Sequence, residues 1–201
     1  KGDWGYILLE GTKLSVDEDY NYLGGAIFQH CIVEYSDTGI KFRDSAEAHI
    51  EECRFRENNN GITFNHMVNS NIRKSYFFNN KNGLYAEYYT VNGKKVIREP
   101  YVGALMKDCI IEYNEFYSNT SDAIFASTHG TSALSNLFQY NTIRDNGGWG
   151  LYGRYGDIGT GFSNNTIKDN TIYNNTTGGI HFGDIGNLIT GNKILNNGRS
   201  E

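Results

Sequence analysis

The chain has 201 residues, a formal net charge of −5 and a mean hydropathy of −0.54. Its length fits one domain. The acidic balance disfavours a nucleic-acid partner, which would require a basic face, and no segment is apolar enough to span a membrane. Twenty-four glycines and 14% aromatic residues indicate many short strands joined by tight turns.

One short pattern recurs seven times along the chain: an apolar residue, two variable residues, Cys, Ser or Asn, one variable residue, a second apolar residue, two more variable residues, and Asn or Ser. The copies begin at Phe28, Ile50, Ile72, Ile111, Phe138, Ile167 and Ile189. Successive copies are 22, 22, 39, 27, 29 and 22 residues apart. A repeat near 22 residues with apolar residues two apart predicts stacked strands in a solenoid.

A second strand signal, Gly or Ala followed by alternating apolar residues, comes after most copies. In the most regular coil the predicted strands are roughly 164–167, 171–173 and 179–183. Residues two apart share a face, so Ile180 and Phe182 should point inward and His181 outward. We therefore predict an all-β fold, a right-handed single-stranded parallel β-helix with about 7–8 coils of three short strands.

One column of the pattern contains Asn114, Asn141, Asn170 and Asn192 at a turn between two strands. There a side-chain amide can satisfy freed backbone groups and bond to the next Asn, and Asn tolerates left-handed backbone angles. Cys31 and Cys53 occupy the same column as Ser75. We interpret them as small buried free thiols, although the coil spacing also suits a disulfide.

These repeats resemble the right-handed parallel β-helix repeat family, the superfamily of pectate-lyase-like, carbohydrate-binding and sugar-hydrolase β-helix proteins. The resemblance covers residues 22–198 and implies the fold, whereas the family includes lyases, hydrolases, epimerases and non-enzymes. We expect a single domain over 1–201, with 1–21 as an N-terminal cap or opening coil. The C-terminal end shows no cap, so we expect a fragment of a larger protein whose further domains or subunits cover the helix ends.

Long segments interrupt three consecutive coils, at roughly 87–107, 127–135 and 153–162. Being consecutive, they should project from one corner and wall one side of an outer strand face. Asn92-Gly93 between two β-rich runs predicts a protruding hairpin near 87–98. The hairpin is interpreted either as a wall of a cleft or as an oligomer contact.

The outward position of the strand beside these loops predicts a ligand-binding face. Coil by coil this position is Lys41, Thr63, Tyr85, Phe125, Tyr152 and His181. The predicted substrate-binding residues are Tyr85, Glu87, Tyr88, Phe125, His129, Tyr155 and Asp184. Aromatic rings with hydrogen-bonding groups suit a carbohydrate. Cross-strand stacking that only stabilises the sheet is the alternative.

The predicted catalytic residues are Arg154, His181, Asp157 and Tyr152. In a uronic-acid lyase or epimerase, Arg154 would pair with the carboxylate and His181 or Tyr152 would act as base or acid. A hydrolase would instead need two carboxylates, for which Asp157, Asp184 and Glu87 are available. No diagnostic motif separates these reactions. Thr128-His129-Gly130 matches only part of the Gly-His-Gly signature expected of the β-helix polygalacturonases.

We expect no cofactor and no metal, since Asp17-Glu18-Asp19 lacks the spaced pattern of a calcium loop, although Ca²⁺ stays open. The first hypothesis is an extracellular or cell-surface β-helix that binds and processes a polysaccharide as lyase, hydrolase or epimerase. The alternative is a non-catalytic surface, adhesion or fibre scaffold. The expected partner is a polysaccharide, with no nucleic acid and no membrane span.

Overall fold

The structure is a computed structural model that describes residues 3–17, 22–86, 90–91, 94–95, 105–126, 132–153, 162–182 and 186–198. Parallel strands from successive coils form three seven-stranded sheets and one four-stranded sheet, here called sheets A to D in the order in which a coil visits them. The predicted parallel β-helix is confirmed, since every strand of these sheets pairs with its equivalent in a neighbouring coil.

The strands of each sheet follow the coil order. Sheet A contains Ala26–Gln29, Ala48–Glu51, Asn71–Arg73, Ile110–Glu112, Leu137–Gln139, Thr166–Lys168 and Leu188–Thr190. Sheet B contains Ile32–Glu34, Arg54–Arg56, Tyr76–Phe78, Glu115–Tyr117, Thr142–Arg144, Thr171–Tyr173 and Lys193–Leu195. Sheet C contains Ile7–Glu10, Thr38–Arg43, Asn60–Phe64, Asn82–Ala86, Ile124–Phe125, Trp149–Gly153 and Gly178–Phe182. Sheet D contains His66–Val68, Leu105–Lys107, Ser132–Leu134 and Phe162–Ser163.

Sheet D corrects the prediction of three strands per coil. Its strands have only two or three residues, and three of the four lie in segments predicted as long loops. Their inward side chains, such as Met106, Ala133 and Phe162, are buried and extend the core. The sequence did not reveal this sheet because two or three residues are too few to show an alternating pattern.

Two antiparallel pairs complete the described strands. Thr90–Val91 pairs with Lys94–Lys95, which confirms antiparallel pairing in the hairpin predicted near 87–98. Its turn residues Asn92 and Gly93 lie outside the described residues. Near the N-terminus, Ser15–Val16 pairs with Tyr22–Gly24, while Ile7–Glu10 forms the first strand of sheet C.

Stacked apolar side chains fill the interior, as the alternation predicted. The rings of Phe55, Phe77 and Phe116 lie on one another with centroids 4.8 Å and 4.7 Å apart, and all three are fully buried. This distance equals the spacing of neighbouring strands, so equivalent side chains meet face to face. Each fully buried Phe or Ile contributes about 1.5–3 kcal/mol through burial.

Asparagine ladders hold the corners between the sheets. At the corner between sheets A and B, Asn141 donates from Nδ2 to the carbonyl of Ile111 at 2.8 Å and to Oδ1 of Asn170 at 3.0 Å. The predicted ladder is thereby confirmed. Equivalent ladders at the other corners run through Asn58, Asn80, Asn119, Asn146, Asn175 and Asn197, and through Asn136, Asn165 and Asn187.

The left-handed backbone, which Asn would tolerate, lies one residue before each ladder position. Tyr113 and Tyr140, for example, both have φ of 55°. The side-chain amide of the ladder residue instead forms hydrogen bonds with backbone groups that the bend leaves without a strand partner. Residues of many types therefore occupy the strained corner positions and point their side chains outward.

The three cysteines are free, as expected. Burial raises the pKa of Cys53 to about 11 and that of Cys109 to about 12, so both stay protonated thiols at neutral pH. Cys31 is only half-buried, which corrects the expectation that both Cys31 and Cys53 are buried.

Candidate functional site

The outer face of sheet C places the predicted row of side chains in strict register. Lys41 pairs with Thr63, Thr63 with Tyr85, and so on through Phe125 and Tyr152 to His181. The two neighbours of each residue face inward and are apolar, except for Gly153 after Tyr152, so the period of two directs the row away from the core. The predicted outward row is thus present, with one member per coil.

The aromatic part of the row is a chain of ring contacts. Tyr85 stacks on Phe125 with centroids 5.0 Å apart and planes 14° apart, whereas Phe125 and Tyr152 are tilted by 49°. His181 meets Tyr152 edge-on, at 5.3 Å and 71°. Face-to-face stacking between successive members of the row therefore stops at Phe125.

Exposure is lowest in the first two coils of this row and highest at its last member, His181. Thr63 is 1% exposed and Lys41 is 8% exposed, so these two outward positions are buried. The Lys41 ammonium lies 5.0 Å from the centre of the Tyr6 ring. Tyr85, Phe125 and Tyr152 are half-buried, and His181 is exposed. A ligand can therefore approach the row best at Tyr152 and His181.

Trp149 joins this end of the row, although the sequence analysis did not select it. Its indole lies parallel to the Tyr152 ring at 5.8 Å and meets His181 edge-on at 4.9 Å. The ring sits over Gly178 in the next coil, where a Cβ would lie 2.1 Å from the indole carbon Cζ3. Only glycine at position 178 leaves room for this indole. We call Trp149, Tyr152 and His181 the aromatic triad.

Asp122 supports the triad from beneath. The backbone N–H of Trp149 donates to Oδ1 of Asp122 at 2.6 Å, and Asp122 is 9% exposed. Gly148 makes this contact possible, because a Cβ there would lie 2.2 Å from the same oxygen. Burial raises the pKa of Asp122, while the hydrogen bond from Trp149 acts in the opposite direction.

The chemistry available at the triad is that of a polar aromatic surface. A tyrosine hydroxyl, an imidazole and an indole N–H can all hydrogen-bond to hydroxyl groups, and the rings offer apolar contact to C–H groups. Imidazole is also the side chain best suited to move a proton near neutral pH. The triad can therefore bind a sugar and, with a suitable substrate, transfer a proton.

The other predicted site residues lie outside the part of the chain that the structure describes. Of the four predicted catalytic residues, Tyr152 and His181 are adjacent, whereas Arg154 and Asp157 lie outside the described residues. The same holds for the predicted substrate-binding residues Glu87, Tyr88, His129, Tyr155 and Asp184. Their roles stay predictions.

Within the described residues, no group of three or more His, Cys, Asp or Glu side chains is arranged to hold a metal ion. Across the same ranges, no helix has the length and apolarity needed to cross a membrane.

Comparisons with known proteins address the fold. A family model described as right-handed beta helix region matches residues 17–99 and 101–201. Among solved structures, the Dettilon tailspike protein is similar at 15% sequence identity and a TM-score of 0.48. That match covers 87% of this chain and 30% of the tailspike protein, so the chain spans less than a third of its length. No curated protein sequence matches this chain.

Proposed function

From the premise that this chain belongs to the right-handed β-helix family, we propose that it binds a polysaccharide along the outer face of sheet C, with the aromatic triad as the anchor. The observation that carries the proposal is the row of rings that continues from Tyr85 to the exposed His181. Successive coils present these side chains about 4.8 Å apart. A regular linear array of this kind suits an extended polymer more than a compact small molecule.

The triad is the part of the row best suited to a sugar. Tyr85 and Phe125 cover each other's faces, so they present mainly ring edges to solvent. At Tyr152 this stacking ends, and the half-buried Trp149 and Tyr152 rings lie beside the exposed imidazole of His181. Half-buried rings with polar tips combine apolar contact with directed hydrogen bonds.

Processing of the bound glycan is the second part of the proposal. His181 and Tyr152 are adjacent, and together they could supply and accept protons at one sugar unit. In an acidic polysaccharide, Arg154 would pair with the carboxylate, and Asp157 would serve as the carboxylate of a hydrolase. A polymeric substrate implies an extracellular or cell-surface location.

A non-catalytic scaffold is the second candidate function, and one observation favours it. Tyr85 and Phe125 stack face to face, as the buried Phe55 and Phe77 do. Such a stack stabilises neighbouring coils without any ligand. The two candidates differ in whether substitutions in the triad change glycan affinity or only the free energy of unfolding.

The test is a polysaccharide panel measured by calorimetric binding and by release of reducing ends or unsaturated products. The panel contains polygalacturonate, alginate, hyaluronan and neutral xylan. Tyr152→Ala should weaken binding by about tenfold or more, since Tyr is typical of residues that dominate binding energy. Tyr173→Ala removes a half-buried outward tyrosine of sheet B and serves as the matched control.

Variants that keep the approximate shape of each side chain then show which residues are needed for turnover. His181→Gln and Tyr152→Phe should reduce turnover by roughly 10²–10⁴-fold with little change in affinity if these side chains transfer protons. Binding without turnover would reduce the function to glycan recognition. Absence of binding to every member of the panel would overturn the proposal, and a changed free energy of unfolding in the triad variants would then favour the scaffold.

A further inference from the structure

A second surface, far from the row on sheet C, has the chemistry of a ligand site. An open cavity of about 520 Å³ lies at the corner between sheets A and B, and its lining residues are His30, Glu52, Arg54, Lys74, Tyr76 and Tyr113. Its volume falls in the range usual for small-molecule sites. We call it the corner hollow. None of its residues was selected from the sequence.

The coil geometry builds the corner hollow from two neighbouring columns. Four of its residues occupy the left-handed position before the A–B ladder, with φ between 50° and 55°: His30, Glu52, Lys74 and Tyr113. The other two, Arg54 and Tyr76, are paired neighbours at an outward position of sheet B. The hollow therefore extends along several coils, and rigid, hydrogen-bonded corners hold its side chains.

The charges in the hollow leave one arginine without an acidic partner. Glu52 lies 3.1 Å from His30 and 3.6 Å from Lys74. Lys74 also lies 3.0 Å from Glu51. In the part of the chain that the structure describes, the Arg54 guanidinium forms no ion pair.

The contrast with Arg56 is informative because both arginines lie on one strand and point to one side. Arg56 pairs with Glu34 of the preceding coil. Arg54 instead faces the hollow, where Arg54 and Lys74 supply two positive charges and Glu52 supplies one negative charge. A guanidinium forms two parallel hydrogen bonds with a carboxylate, so an unpaired arginine in a cavity favours a carboxylate ligand.

Tyrosine rings complete the hollow. Tyr76 is 42% exposed and Tyr113 is 53% exposed. Tyr140 stacks on Tyr113 at 4.9 Å from the next coil, on the side away from Lys74. The other face of Tyr113 is therefore directed toward the hollow. An aromatic face beside hydrogen-bonding groups suits the C–H face of a sugar ring.

We propose that the corner hollow binds a carboxylate-bearing sugar, such as a uronic acid unit, with the carboxylate on Arg54 and the ring against Tyr113. An acidic peptide fits less well. Peptides dock on sheets chiefly by adding a strand at a free edge, whereas the strands of sheets A and B that contribute to the hollow pair on both sides. This site is separate from the aromatic triad and does not depend on the function proposed for it.

The experiment titrates oligogalacturonate into the Tyr152→Ala variant, so that failure of the proposed function leaves this test intact. Two further ligands and one further variant serve as controls. Methyl-esterified oligogalacturonate keeps the ring and removes the charge, polyglutamate keeps the charge and removes the ring, and Arg56→Ala removes the paired arginine of the same strand.

We expect oligogalacturonate to bind and Arg54→Ala to weaken its affinity by about tenfold or more, because a hydrogen bond to a charged group is lost. Tyr113→Ala should also weaken binding, and Arg56→Ala should leave it within about twofold. Thermal melts confirm folding, and Arg54 is exposed, so its variant should melt like the parent. Absence of binding, equal binding of the ester or of polyglutamate, or an unchanged affinity in Arg54→Ala would overturn the proposal.

Discussion

The backbone N–H of Trp149 donates a 2.6 Å hydrogen bond to Oδ1 of Asp122, and this bond joins the aromatic triad to the interior of the preceding coil. The arrangement leaves a carboxyl group 9% exposed, with burial raising its pKa above the usual 3.8. A buried carboxylate is costly at neutral pH unless hydrogen bonds offset the loss of solvation. The support of the triad is therefore sensitive to pH.

Asp122→Asn should stabilise the protein at neutral pH. The folded state holds the Asp122 proton more tightly than the unfolded chain does, so the wild type loses stability as the pH rises above 3.8. Asparagine keeps the acceptor oxygen for Trp149 and carries no charge. Thermal melts should give a higher Tm for the variant at pH 7 and converge below pH 3.8. A lower Tm for Asp122→Asn at pH 7 would contradict this prediction.

Gly178→Ala should displace the Trp149 indole. An added Cβ would lie 2.1 Å from Cζ3 of that ring, which is far inside van der Waals contact. In a Trp4→Phe background Trp149 is the sole tryptophan, so its fluorescence reports the change. We expect a shifted emission maximum and a glycan affinity at least several-fold weaker. An unchanged spectrum would show that the indole does not rest on Gly178.

Asn141→Ala should destabilise the coil far more than the small number of removed atoms suggests. Oδ1 of Asn141 accepts the backbone N–H and the side-chain amide of Asn114, at 3.0 Å and 3.1 Å. Removal leaves buried donors without partners, so we expect a loss of about 3 kcal/mol or more in urea unfolding. Asn192→Ala is the matched control, because Asn192 accepts the equivalent two bonds from Asn170 but is only half-buried in the last described coil. Equal losses in the two variants would contradict the role assigned to burial.

Glu51 should make the fold sensitive to acid. Burial opposes its ionisation, but hydrogen bonds from Lys74 and His49 outweigh that effect and lower its pKa to about 2. Its stabilising contribution is therefore present above pH 4.5 and is lost as the pH falls from 4.5 to about 2.

Glu51→Gln should cost about 1 kcal/mol at neutral pH, since solvent screens these pairs, and the difference from the wild type should vanish near pH 2. Urea unfolding across this pH range measures the difference. The exposed Glu10 provides the control, and Glu10→Gln should unfold like the wild type at each pH. A deficit in Glu51→Gln that persists at pH 2 would exclude the ion pairs as its cause.

The sequence predicted most of the coil and only part of its surface. Residues such as Ile111 and Phe116 could be placed inside because apolar and polar residues alternate around them, and the A–B ladder followed from the recurring Asn. Sheet D was missed because its strands are too short for a period to show. The left-handed corner position could not be predicted, because it is occupied by residue types such as Tyr113 and Tyr140 that do not indicate a positive φ.

At the candidate site, the outward register of Tyr152 and His181 followed from the same alternation. Trp149 could not be found this way, since its position depends on the missing side chain of Gly178 in another coil. A tryptophan directly before a Gly-apolar strand was the available signal. The burial of Lys41 also depends on a residue distant in sequence, Tyr6, which no local pattern indicates.

The central claim, that the aromatic triad binds a glycan, is tested most directly by titrating the polysaccharide panel against Trp149 fluorescence in the Trp4→Phe background. The account predicts saturable quenching by at least one polysaccharide, its loss in Tyr152→Ala, and its persistence in Tyr173→Ala and Arg54→Ala. Binding that is unchanged in Tyr152→Ala, or a panel in which no polysaccharide perturbs Trp149, would contradict it.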